Sequence, residues 1–474
     1  MAGQQLLAID AFDWVSRTEL TKEDVKLGQR SLRASNFRSI FPAGSSSRPL
    51  LMVGRERHIG KLNQLGAELT GSGDEFRSHI VSLLYGPRGC GKTALLDAFS
   101  EGMTRKGVRV ISGTGGSLRT VEGLHGLLRN QMEPNPERIT RTRGGLGVGR
   151  TGIDREVSEK APGGALEPGP VDVMLQAVSE SLDNRPLLIA LDEAHASAPN
   201  VLGDLLSSAQ RLNGRRTPIA VALAGTPDLL DILEDPECQA TWVLDRASED
   251  RLVPVGNLTD AECERAVAVP LRTLGVGFRE SDLAEAALSC RGSPYFTQLL
   301  GLCGLRNAQG IDRRRPSVDF GPQSAALSDF RAGVEARYGR AWSALDGQGL
   351  TGCARQLGIL WRWSQAAPDR AIYSNLANRA VASGLAHPPE GQRAAHSPEG
   401  ASRYFRHLGY IWDSSGSNQQ WELGLPSFFD YVESIYQSRA KPDYHSTVSA
   451  LDEDLTRIIP DDESLEDEAD GPLP

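Results

Sequence analysis

One stretch constrains this chain more than any other: His79–Phe99, HIVSLLYGPRGCGKTALLDAF. A short apolar run, Ile80–Tyr85, breaks into Gly86-Pro87-Arg88-Gly89-Cys90-Gly91-Lys92-Thr93, and a helical pattern resumes through Leu95, Leu96 and Phe99. This is G-x-x-x-x-G-K-[ST] with a strand before it and a helix after it, the context that a phosphate-binding loop needs. The three glycines permit backbone conformations and close approaches that a side chain would block. Amide N–H groups then point inward, and the following helix adds the positive end of its dipole, so the loop cradles an anion. Lys92 supplies a point charge for the outer phosphates, and the Thr93 hydroxyl is the expected magnesium ligand.

A second element answers the first about 100 residues on. Pro186-Leu-Leu-Ile-Ala-Leu-Asp192-Glu193-Ala-His195 reads as a buried strand ending in two acids. Asp192 is placed to help hold magnesium. Glu193 is placed to polarise an attacking water as general base. His195 reads as a local hydrogen-bonding residue. Pro218–Leu223 is a further buried strand, followed by Ala224-Gly225-Thr226-Pro227. A polar residue after such a strand can contact a γ-phosphate, and Thr226 stands there. In Thr241–Leu252, Arg246 and Arg251 are both candidates for an arginine finger offered to a neighbouring subunit. Both also read as ordinary surface arginines.

The flanks of this core are readable in outline. Lys26, Arg30, Arg33 and Arg38 recur over Val25–Ile40, compatible with a solvated helix face or with a basic arm for nucleic acid. Val108–Ser112 is a strand, and Leu118–Met132 and Val171–Leu182 are helical. Residues 134–170 are glycine- and arginine-rich, an insertion in which Glu137–Thr142 and Gly145–Gly149 can pair as a hairpin. It reads equally as a substrate-touching loop and as a surface insertion. From Leu258 the pattern turns helical, with a polar cap at Thr259, through Glu262–Leu274, Asp282–Ser289 and Phe296–Leu305. After the basic linker Gly310–Pro316 and the helix Ala326–Ala344 come three helical segments. A short hairpin and the amphipathic stretch Leu425–Ser438 follow. Three helices and a hairpin suggest a winged helix. Arg403, Arg406 and His407, on the helix before the wing, are its DNA-facing candidates; protein docking is the other use of such a domain.

Composition adds limits. The chain has 474 residues, 39% hydrophobic and 24% charged, enough for several cores. No apolar run approaches a membrane span, and MAGQQLLAIDAFDW does not read as a signal peptide. Six scattered cysteines without a C-x-x-C pair fit free thiols in a reducing cytoplasm. Residues 451–474 carry ten acids and one base, so they hold nearly all of the net charge of −10. The body is therefore close to neutral, and overall acidity does not argue against a polyanionic partner. The tail itself is expected to be disordered.

Taken together, Leu51-Met-Val-Gly-Arg-Glu, GPRGCGKT, LLIALDEAH, AGTP and Gly292-Ser-Pro-Tyr-Phe-Thr-Gln-Leu-Leu-Gly301 resemble, in order and spacing, bacterial and archaeal AAA+ ATPases related to replication initiators. STAND and transposition-regulator ATPases share much of the pattern. The resemblance covers about residues 50–305. It implies an α/β fold, a P-loop NTPase parallel sheet core with a helical lid, followed by a winged-helix-like α+β domain. It implies ATP and Mg2+ as ligands. Gly86, Pro87, Arg88, Gly89, Cys90, Gly91, Lys92 and Thr93 would hold the phosphates, with Arg55 and Pro294 near the base. Many relatives carry arginine after that proline; here it is Tyr295. The expected division is an N-terminal extension (1–48), an ATPase core (49–256), a lid (257–308), a linker and helix (309–345), a winged-helix-like domain (346–440) and an acidic tail (441–474). The expected activity is magnesium-dependent ATP hydrolysis driving a conformational switch. The expected partners are double-stranded DNA, a protein, or further copies of the chain, with no membrane.

Overall fold

The computed structural model describes residues 20, 22–44, 49–71, 80–130, 171–181, 185–213, 218–246, 251–310, 316–365, 372–386, 396–413 and 420–439. The arginine-rich insertion, the Arg313–Arg315 linker and the acidic tail lie outside them.

After α1 (Lys22–Arg33) and α2 (Glu56–Thr70), strands and helices alternate: β1 (Val81–Tyr85), α3 (Lys92–Arg105), β2 (Arg109–Thr114), α4 (Val121–Arg129), α5 (Val171–Ser181), β3 (Leu187–Asp192), α6 (Pro199–Asn213), β4 (Ile219–Gly225), α7 (Asp228–Glu234), α8 (Trp242–Arg246) and β5 (Leu252–Pro254). The five strands form one parallel sheet in the order β2-β3-β4-β1-β5. Every residue of β1 and β4 is buried, as expected for strands covered on both faces. Alternate residues divide accordingly. Leu83, Ile189 and Val221 join the core under α4, α5 and α6, whereas Leu84, Leu188 and Ala222 join the core under α2 and α3.

The helices that follow are α9 (Asp260–Thr273), α10 (Glu280–Leu288), α11 (Pro294–Arg306) and α12 (Ala325–Gly347). The polar cap expected at Thr259 is present and forms a capping box with Glu262. The C-terminal elements are α13 (Thr351–Gln365), β6 (Ile372–Tyr373), α14 (Ser374–Ala386), α15 (Pro398–His407), β7 (Ile411–Asp413), β8 (Gln420–Leu423) and α16 (Pro426–Arg439), with a small antiparallel sheet ordered β6-β8-β7. One hydrophobic cluster runs from α9–α11 through α12 into these elements.

The N-terminal stretch packs through its apolar residues, while Lys26, Arg30, Arg33 and Arg38 stay exposed, as either reading of them requires. Leu32, Ile40, Phe41 and Ala43 are buried in the same cluster as α9–α11. The Phe41 ring lies over Gly301, where a β-carbon would come within 2.6 Å of it. The stretch is thereby held against α9–α11.

Candidate nucleotide-binding site

All the diagnostic residues lie where the parallel strands end. β1 delivers the phosphate loop, β3 delivers Asp192, β4 delivers Thr226 and β5 delivers Val255–Gly256. This carboxyl edge is where open α/β sheets bind ligands. Two glycines of the loop are dictated by geometry. A β-carbon on Gly86 would stand 2.2 Å from the Val255 carbonyl oxygen, and Gly91 has φ +95° at the cap of α3.

Lys92 is buried, and its ammonium donates to the carbonyl oxygens of Gly86 at 2.9 Å and Pro87 at 2.7 Å. The Thr93 hydroxyl donates to Asp192 Oδ2 at 2.7 Å. The other oxygen of Asp192 accepts from the Glu193 backbone N–H at 2.9 Å. Thr93 and Asp192 are thus already paired at one point, a hydroxyl and a carboxylate of the hard-oxygen kind magnesium takes. Glu193 has φ +49°, a left-handed conformation that is costly for a non-glycine residue and that clusters at functional positions. Thr226 is buried and its hydroxyl oxygen has no hydrogen-bond partner.

A cavity of about 480 Å³ opens on the loop, within the size range of small-molecule sites. Residues 88–94, Asp192 and Glu193 line one end; Leu51, Val53, Leu258, Ala266 and Pro294 line the apolar part. Pro42–Gly44 also line it. Nothing in their local pattern announces that role, because it depends on Phe41 anchoring the segment against α11. Arg55 lines the cavity too, but its work is structural. Its guanidinium donates to the carbonyl oxygens of Cys90 and Gly256, each at 2.8 Å, tying the phosphate loop to the end of β5. Burial pulls its pKa below the usual arginine value. Cys90 is a buried free thiol. Tyr295 stands beside Gly89, and the Arg337 guanidinium lies 4.1 Å from the centre of its ring, a cation–π contact that the sequence did not reveal.

Other sequence candidates are placed elsewhere. Arg251 is 2% exposed and ion-paired with Glu68. It sits at the entry of β5, the opposite end from the site. It is therefore a buried structural cation and not a finger for a neighbour. Arg246 closes α8, and its side chain lies outside the described residues. Arg406 and His407 do not stand free for DNA. Arg406 donates to Asp231 at 3.1 Å, and His407 Nδ1 contacts Asp228 Oδ2. Both acids belong to α7, so the last turn of α15 is turned onto the helix that follows β4. Arg403 is exposed.

The same docking brings the β7–β8 hairpin onto the phosphate loop. Trp412 is buried, edge-on to Tyr85 with ring centres 6.1 Å apart, and its ring covers Gly256. Asn257 donates to the Gly424 carbonyl at 3.2 Å.

A glycine-rich loop between β1 and α3, a lysine aimed into it and a hydroxyl paired with the acid at the end of β3 define a P-loop NTPase. Residues 77–233 match the family model described as AAA domain. Residues 77–233 thus form an AAA-type P-loop NTPase domain. No curated protein matches the sequence. Among solved structures, a Walker-type ATPase of Pyrococcus abyssi is similar at TM-score 0.49 and 16% identity, covering 81% of this chain and 96% of that one. Cdc6p from Pyrobaculum aerophilum is similar at TM-score 0.42 and 16% identity, covering 84% and 98%. The ORC2 protein of Aeropyrum pernix gives 0.42 and 16%, covering 85% and 98%. Among the described residues, no helix is long and apolar enough to cross a membrane.

Proposed function

We propose that the protein is a magnesium-dependent ATPase whose nucleotide state controls the docking of its C-terminal elements, and that the released form associates with DNA in the cytoplasm. The carrying observation is the seat of the β7–β8 hairpin on the phosphate loop. Phosphates entering the loop must redirect Lys92 from the Gly86 and Pro87 carbonyls, and Pro87 is the residue under the hairpin. ATP therefore has different contacts in the docked and released states, which is what a ligand-driven switch requires.

In this reading Gly86–Thr93 hold the phosphates, and Pro294 with the apolar wall holds the base. Thr93 and Asp192 would hold magnesium, which would supply positive charge against the phosphates. Glu193 takes a proton from the attacking water, whose oxygen bonds to the γ-phosphorus as the bond to the bridging oxygen breaks. Thr226 contacts the γ-phosphate through the hydroxyl that otherwise has no partner. The units are the N-terminal extension (1–48), core (49–256), lid (257–308), linker and helix (309–345), winged-helix-like domain (346–440) and acidic tail (441–474). Release of α15 frees Arg406 and His407 beside Arg403 for a phosphate backbone. Oligomerisation of the released form accompanies it.

The second reading is a signalling or scaffold ATPase whose winged-helix-like domain binds protein. It is favoured by Asp228 and Asp231, which already occupy two of the three basic side chains. Steady-state ATP hydrolysis with and without double-stranded DNA, at fixed low salt because phosphate contacts are salt-dependent, separates the two. Stimulation by DNA supports the first reading. Hydrolysis indifferent to DNA supports the second, and absence of hydrolysis overturns the ATPase itself.

A further inference from the structure

The general base proposed here does not stand alone. His195 occupies the short helical turn directly after Glu193, and its side chain is 5% exposed. Its Nδ1 accepts a hydrogen bond from the backbone N–H of Thr226, at 3.2 Å. A backbone amide can only donate, so Nδ1 carries no proton, and the proton of the neutral ring is on Nε2. Nε2 lies 3.2 Å from Glu193 Oε2. The tautomer is thus set by the end of β4, and it turns an N–H toward the carboxylate. Burial, with help from the nearby Arg88 and Lys92 charges, pushes the ring's pKa down to about 4, which keeps it neutral. Its other neighbours are Asp228 and His407, the latter edge-on with ring centres 6.4 Å apart.

From this geometry we infer that His195 is the positioning residue for Glu193, fixing the carboxylate by the Nε2 proton and referring it to the strand that ends in Thr226. Resting on the reading of Glu193 as general base, the inference adds what aims it. With Oε2 facing the His195 proton, Oε1 is the oxygen left to receive the proton of the attacking water. A shift of the Thr226 backbone, such as γ-phosphate contact at its hydroxyl would produce, moves Nδ1 and so re-aims the base. Glu193 needs such a restraint because its side chain is 53% exposed and otherwise free to turn in solvent. The left-handed backbone at Glu193 serves the same end, since it folds the chain back far enough for residues 193 and 195 to face one another.

The test compares His195→Leu, His195→Gln, Glu193→Gln and the double variant His195→Leu/Glu193→Gln in the full-length protein. ATP turnover, binding of a fluorescent ATP analogue and thermal unfolding are read for each. Glutamine can accept from the Thr226 amide through its carbonyl and donate to Glu193 through its NH2, whereas leucine can do neither. His195→Leu should lower kcat by roughly 10- to 100-fold, the size of a misplaced catalytic group, with nucleotide affinity within about 3-fold of the parent. His195→Gln should recover most of that loss. In the Glu193→Gln background, His195→Leu should add nothing further, because residues acting as one unit are not additive. Independent, multiplying effects of the two single changes would overturn the inference, as would parental kcat in His195→Leu. A loss in His195→Leu that tracks melting temperature and is not recovered by glutamine would reduce His195 to a packing residue. Normal turnover by Glu193→Gln would instead remove the general-base reading itself, which the other outcomes leave intact.

Discussion

Gly424 packs so closely on Pro87 that a β-carbon there would lie 2.5 Å from the proline Cγ, and 2.1 Å from the carbonyl oxygen of Gly409. Gly409, at φ +71°, also faces this proline, and a β-carbon there would come within 3.0 Å of Pro87 Cα. Two backbone-only surfaces of the C-terminal hairpin therefore press on the second residue of the phosphate loop. A ligand that reshapes the loop cannot do so without moving them.

Loosening this contact should speed nucleotide exchange. Gly424→Leu forces the hairpin away but also strains the hairpin against Gly409. The pair Asp228→Asn and Asp231→Asn leaves the hairpin alone and removes the acids that hold His407 and Arg406. Exposed ion pairs are each worth up to about 1 kcal/mol, so a roughly 3- to 10-fold faster release of fluorescent ADP is expected from the pair. Stopped-flow displacement measures it. Unchanged release in both variants would mean that docking and nucleotide occupancy are uncoupled.

Lys92→Ala should abolish productive nucleotide binding. The ammonium is held on the carbonyl oxygens of Gly86 and Pro87, at the mouth of the loop that the phosphates must enter. Among the described residues, no other lysine lines the cavity. Titration calorimetry with ATP and magnesium should show no saturable heat for the variant while its melting temperature stays near that of the parent. Normal ATP turnover by Lys92→Ala would refute the site assignment.

The core and its site were legible because they depend on local pattern. An apolar run, a loop of fixed residue types and a strand ending in Asp-Glu each carry their signal within about ten residues. The helix start at Thr259 was legible for the same reason, and its side chain caps α9; the next helix, read from Phe296, begins two residues earlier at Pro294 behind a Ser293 cap. What the sequence concealed is pairing at long range. Arg251 reads as a surface arginine until Glu68, 183 positions earlier, is seen across from it. Arg406 and His407 match a DNA-reading helix until α7 supplies Asp231 and Asp228. The strand β5 was missed because only three residues pair, and it counts as a strand only beside β1. Pro42–Gly44 reach the cavity only because Phe41 packs on Gly301.

Arg251 gives a stability prediction of its own. Its guanidinium is almost wholly buried against a Glu68 that is 25% exposed. Breaking a fully buried pair costs about 3–5 kcal/mol; here the charge left behind, Glu68, is partly exposed, so the cost of removing Arg251 falls at the low end, about 3 kcal/mol. Arg251→Ala should therefore lower the urea midpoint strongly. Replacing both partners, Arg251→Leu with Glu68→Leu, should recover much of the loss, since a packed apolar pair replaces the charges. An Arg251→Ala protein of parental stability that cannot hydrolyse ATP would restore this arginine to a catalytic role.

The last prediction concerns acid. His58 lies on α2, with Nε2 3.0 Å from the Pro254 carbonyl oxygen and Nδ1 buried without a partner. The carbonyl can only accept, so Nε2 carries the proton and Nδ1 would have to take up the second one in a dry place. Burial first, and then the Arg55 charge, push its pKa down to about 4 from the ordinary 6.5. Between those values the unfolded chain binds a proton that the folded chain refuses. Stability therefore rises with pH through this window and is lost as pH falls from about 6.5 toward about 4, by up to about 1.4 kcal/mol per pH unit for one proton. His195 is depressed over the same range, while Asp97, pushed up to about 6 by burial and by the nearby Asp192, acts in the opposite direction, so the test is the difference in slope between the variant and the parent. His58→Gln keeps an N–H for Pro254 and removes one titrating site. Its melting temperature, followed from pH 7.5 down to 4.5, should fall less steeply than the parent's, while a slope equal to the parent's would show that His58 takes up its proton as readily in the folded protein as in the unfolded chain.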